Sequence, residues 1–77
     1  MENLIEIDPK IMVGKPVIKG TRITVELILE KLASGLSTED VLRSYPHLNR
    51  DQILACLQYA YQTVSSDSVY PLTAEVA

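Results

Sequence analysis

The sequence predicts a mainly helical domain: a three-helix core with a helix-turn-helix at residues 37–62, preceded by a short N-terminal β-hairpin. Three successive helix starts each join a capping residue to an apolar pair that flanks the cap. Thr24 lies between Ile23 and Ile28, Ser37 between Leu36 and Val41, and Asn49 between Leu48 and Ile53. Acids also sit in each first turn (Glu26; Glu39 and Asp40; Asp51), where the positive end of the helix dipole favours them. Ahead of the helices, short β-branched runs broken by glycine and proline signal strands and turns.

Taken in chain order, residues 3–7 (NLIEI) alternate weakly and suit an edge strand, and Asp8-Pro9 suits a turn. The runs KIMV and PVI, separated by Gly14-Lys15, suit the arms and tip of a hairpin. Pro16 has no N–H to give a ladder, so its strand is an edge or starts there. Gly20 supplies another sharp turn. The first helix is predicted over 25–34, with Val25, Ile28, Leu29 and Leu32 at the i, i+3, i+4, i+7 spacing of one buried stripe. Gly35 ends it. The second helix spans 38–45 and Pro46 closes it. The third spans 50–63, with Ile53, Leu54, Leu57, Ala60, Tyr61 and Val64 on its inner side. Its outward positions are then Arg50, Asp51, Gln52, Ala55, Gln58, Tyr59 and Gln62. Residues 1–64 form the domain, and 65–77 are expected to be a tail that is flexible when free.

A chain of 77 residues makes one small domain, and at this size folding buries only about 60 % of the surface that the unfolded chain exposes. One cysteine (Cys56) and one histidine (His47) cannot build a Cys/His zinc site, and no cofactor or metal is expected. Catalysis has no support: the acids are scattered, and Ser34, Ser37 and Ser44 have no base nearer in kind than His47 in its turn. Cys56 falls mid-helix, where a packed thiol is expected. The opening residues are acidic rather than basic-then-apolar, and no apolar run is long enough to span a bilayer. A cytoplasmic protein without membrane attachment is the expectation.

Net charge is −3, yet the charge is unevenly spread. All seven Lys and Arg lie within residues 1–50, and between Asp8 and Glu26 there is no acid against Lys10, Lys15, Lys19 and Arg22. This stretch is the basic locus of an acidic chain. A phosphate-binding Walker loop is excluded, because Lys15 is followed by Pro16 and the spacing to Gly20 is wrong. Turn geometry accounts for Gly14 and Gly20 but not for three neighbouring cations. Lys15, Lys19 and Arg22 are therefore candidate phosphate contacts, and Arg22 equally suits a role holding the helix entry or pairing with Glu26. On the third helix Arg50 and Gln52 have side chains suited to reading base edges, although a solvated helix face explains them as well.

The order IDPKIMVGKPVIKGTRITV followed by LASGLSTEDVLRSYPHLNRDQILACLQYA closely resembles domain-of-unknown-function family 433, over about residues 5–61. That family's pattern is D-P-x-I, G-K-P-x-I-x-G-T-R-I and then Y-P-x-L, met here by Gly14, Lys15, Pro16, Gly20, Thr21, Arg22 and Ile23 among others. The resemblance implies a winged or MerR-like helix-turn-helix. It also implies an antitoxin role beside a PIN-like ribonuclease toxin. Two functional classes follow: an antitoxin-like, DNA-binding regulator that acts as a dimer on operator DNA, or an interaction module that binds a partner without DNA. A homodimer is expected, with Tyr59, Tyr61 and the end of the third helix as contacts. In the tail, Val69, Tyr70 and Leu72 are candidate partner-binding anchors.

Overall fold

A computed structural model describes residues 3–66 of the chain. Three helices stand beside a two-stranded antiparallel sheet: β1 (Ile5–Glu6), β2 (Val17–Ile18), α1 (Val25–Ala33), α2 (Thr38–Ser44) and α3 (Arg50–Ser66). The tail residues Val69, Tyr70 and Leu72 lie outside the described residues.

The N-terminal hairpin exists, with the expected strands within residues 3–7 and PVI as its arms, but KIMV is not one of them. β1 pairs with β2 in the register Ile5↔Ile18 and Glu6↔Val17. The residues of KIMV coil instead. Asp8 starts a turn, accepting the Lys10 N–H on its side chain at 2.9 Å and the Ile11 N–H on its carbonyl at 2.8 Å. Met12–Gly14 then form a single 3₁₀ turn. Met12 (φ 50°) and Val13 (φ 58°) both occupy the left-handed region, where a β-branched side chain is strained.

β2 is gripped on both edges. On one it meets β1, and the Lys19 N–H donates to the Leu4 carbonyl at 2.8 Å. On the other, Val17 bridges Thr24, the Ile18 N–H donates to the Ile23 carbonyl, and the Val25 N–H donates to the Pro16 carbonyl. Pro16 thus opens the strand and serves only as an acceptor, as its missing N–H requires. The turn between these edges is made by Gly20 and Thr21. Gly20 sits at φ 83°, a conformation open to glycine at no steric cost. The Thr21 hydroxyl donates to the Ile18 carbonyl at 2.8 Å and accepts the Ile23 N–H at 3.0 Å.

All three helix starts are capped as the sequence predicts. Thr24 accepts the Leu27 N–H, and Ser37 and Asp40 form a reciprocal capping box. Asn49 and Gln52 form another: the Asn49 side chain accepts the Gln52 N–H at 3.0 Å, and the Gln52 side chain accepts the Asn49 N–H at 2.7 Å. At the end of α1, Gly35 adopts φ 106°, and the Leu36 N–H reaches back to the Lys31 carbonyl in a Schellman closure.

The core comprises Ile18, Val25, Ile28, Val41, Leu48, Ile53 and Cys56, flanked by Ile5, Ile23, Leu29, Leu32, Leu42, Tyr45 and Tyr59. The expected inner side of α3 needs correction. Ile53 and Cys56 are its buried residues, whereas Leu54, Leu57, Tyr61 and Val64 are exposed and Tyr59, expected outside, packs on the core. Apolar residues cover more than one face of α3, so periodicity left the orientation open; packing against α1 and β1 turns the line through Ile53 and Cys56 inward.

Candidate functional site

Pairing takes up part of the expected basic surface. The Lys15 ammonium bonds Glu26 at 3.0 Å, so Lys15, and not Arg22, takes the acid at the start of α1. Its expected lack of a compensating acid is thereby corrected. The Arg50 guanidinium bonds the Glu39 carboxylate of α2, and Arg43 bonds Asp40 at 3.3 Å. The Arg50 hydrogen bond holds Glu39 below the usual carboxylate range. Asp40 is held low chiefly by the Ser37 N–H that it accepts in the capping box. The Gln52 side-chain oxygen (Oε1) is committed to the Asn49 N–H. Both residues selected for base reading are thus engaged, Arg50 in an exposed ion pair between α3 and α2 and Gln52 in the capping box that starts α3.

Lys19 and Arg22 differ from Lys15: both are exposed, and neither forms an ion pair among the described residues. Arg22 lines an open depression together with Glu6, Ile11, Gly20, Thr21 and His47. Arg22 is the one member of the sequence-selected set found there. His47 comes from the turn between α2 and α3, so the depression joins the G-T-R-I and Y-P-x-L stretches, which lie far apart in the chain.

Another surface escaped sequence reasoning. Leu54, Leu57, Tyr61 and Val64 are 54 %, 42 %, 68 % and 72 % exposed, far too open for core positions. They lie in one line along α3, turned about 100° from the line through Ile53 and Cys56. From Gln52 to Ser66 the helix carries no charged residue at all. The signal was present as an excess of apolar positions, more than a single core-facing stripe can use.

Cys56 is fully buried, and burial pushes its thiol up to about 11, so it is packed and inert rather than nucleophilic. Among the described residues no group of three or more His, Cys, Asp or Glu is placed to hold a metal ion, and no helix is long and apolar enough to cross a membrane.

Among solved structures, the chain is similar to a DUF433 member protein from Anabaena variabilis, with a TM-score of 0.78 and 28 % identity. The match covers 84 % of this chain and 64 % of that one, so this chain spans slightly less than two thirds of the other's length. No curated protein matches. A family model described as Protein of unknown function (DUF433) matches residues 5–60, which takes in the sheet, the depression and most of α3, and the chain belongs to that family.

Proposed function

We propose that the protein is an interaction module that docks another polypeptide on the outer face of α3 and does not read DNA sequence. One observation carries this reading: α3, the helix in the recognition position, offers a line of exposed apolar side chains and no charge beyond its first turn. A DNA-recognition helix draws affinity from cations that meet phosphates and specificity from side chains free to reach base edges. Here Arg50 is held by Glu39, and the Gln52 oxygen is held by Asn49. An antitoxin-like role, blocking a PIN-like toxin by contact, is one form of this reading and rests on the family resemblance.

The test is a pair of measurements on the purified chain. Fluorescence anisotropy with its own upstream DNA is expected to show no salt-sensitive binding between about 50 and 200 mM salt. Co-expression with the product of the neighbouring gene is expected to give a complex that Leu54→Glu weakens. A DNA complex with a steep salt slope, left intact by Leu54→Glu, would overturn the reading.

A competing reading, an antitoxin-like regulator that binds operator DNA as a homodimer, draws support from Lys19 and Arg22, exposed and unpaired among the described residues. On that reading Lys19→Ala flattens the salt slope by about one.

A further inference from the structure

The positions of the exposed stripe follow a rule that a general apolar patch would not. Leu54, Leu57, Tyr61 and Val64 are separated by three, four and three residues, which is the a–d–a–d repeat of a two-helix seam. At 1.5 Å per residue the line extends about 15 Å. The spacing is also its own mirror image about Tyr59. Laid antiparallel against a copy of itself, α3 sets Leu54 across from Val64 of the other copy and Leu57 across from Tyr61, so each large side chain meets a smaller or differently shaped one.

We propose that the outer face of α3 is occupied by a second copy of this chain, in an antiparallel, two-fold symmetric α3–α3 pair. The proposal rests on the reading of α3 as a docking surface and names its occupant. Charge selects the second copy over a basic partner. The chain is acidic overall, yet the stripe from Leu54 to Val64 and its flanking positions Gln58, Ala60 and Ser65 have no charge with which to attract a cationic surface, and Arg50, one turn before Leu54 on the same line, is a cation already paired with Glu39. An equally uncharged face meets it without leaving any ion unpaired. Antiparallel packing also sets the helix dipoles in opposition, which favours it over the parallel arrangement.

Sedimentation equilibrium of the 77-residue chain from about 1 to 200 µM tests this. The expected mass approaches twice 8.6 kDa at the upper end. Leu57→Glu is expected to raise the apparent dimer dissociation constant at least 100-fold, with an unchanged circular dichroism spectrum. Because Leu57 faces Tyr61 in the antiparallel register, mixing Leu57→Glu with Tyr61→Lys is expected to restore a heterodimer that neither forms alone. Removing residues 67–77 separates the remaining occupant: dimerisation is expected to persist, whereas a tail that covers the stripe would leave the full chain monomeric and the shortened one dimeric. A monomer throughout the range, or a dimer indifferent to Leu57→Glu, overturns the proposal. A monomer that still binds the neighbouring gene's product through α3 leaves the interaction reading standing. Salt-sensitive DNA binding by a dimer that keeps the rescue pattern removes that reading alone.

Discussion

Residues 14–25 and the outer face of α3 make an instructive contrast. By sequence, residues 14–25 have a functional appearance, with cations gathered around glycines and a proline, whereas the face of α3 resembles ordinary core. The structure reverses much of this. In residues 14–25, Pro16, Val17 and Ile18 hold two edges of backbone, Gly20 and Thr21 make the turn, Thr24 caps α1, and Lys15 pairs with Glu26. Of its three cations, Lys19 and Arg22 remain unpaired among the described residues. On α3, four large apolar side chains are left exposed. A distinctive motif can thus be spent mostly on folding, while a plain apolar helix holds the unused surface.

The largest expected effect tests whether this division is correct. Ile18 is fully buried in β2, and Ile18→Ala should destabilise the chain by about 2–5 kcal/mol in urea unfolding, enough to threaten so small a domain. Leu57→Ala, at a position 42 % exposed, should cost the monomer no more than about 1 kcal/mol. Any further loss for Leu57→Ala should depend on protein concentration, as mass action requires of a seam between copies. Equal, concentration-independent losses at the two positions would erase the comparison.

The inner line of α3 offers a sharper test through Cys56. Burial raises its thiol from 9.0 to about 11 in the native state. Between these pH values the unfolded chain has released the proton that the native chain retains. The unfolded state then binds fewer protons, so stability falls as pH rises through this window. The loss attributable to the thiol should approach roughly 2–3 kcal/mol by about pH 11. Cys56→Ala, followed by chemical denaturation across about pH 8–11, should lack this part of the decline. Identical alkaline slopes in the two proteins would place Cys56 in contact with water.

A smaller effect is expected at Thr21. Thr21→Val keeps the shape and removes the hydroxyl that closes the turn between Ile18 and Ile23. A cost of about 1–2 kcal/mol should appear in thermal or urea unfolding, without any change in self-association. A variant that folds as stably as the parent but loses partner binding would move Thr21 from the scaffold to the contact surface.

What the sequence determined by itself was local. The helix starts at Thr24, Ser37 and Asn49 were legible because a cap and the N–H that it accepts lie within three residues, close enough for composition alone to specify them. The end of α1 at Gly35 was legible for the same reason, since a positive φ selects glycine. Tertiary structure decided the rest. KIMV has the composition of a strand, yet β2 found its partners at Ile5–Glu6 and Thr24, because hydrogen-bond pairing depends on which segments meet. Lys15 and Arg50 read as available cations, yet each is paired with an acid eleven residues away whose approach only the packing of the elements arranges. Arg22 and His47 meet at one depression only because α2 and its turn fold back beside the sheet. On α3, two overlapping apolar lines competed for one core. Helical periodicity identifies such lines, but the choice between them belongs to the surface against which the helix packs.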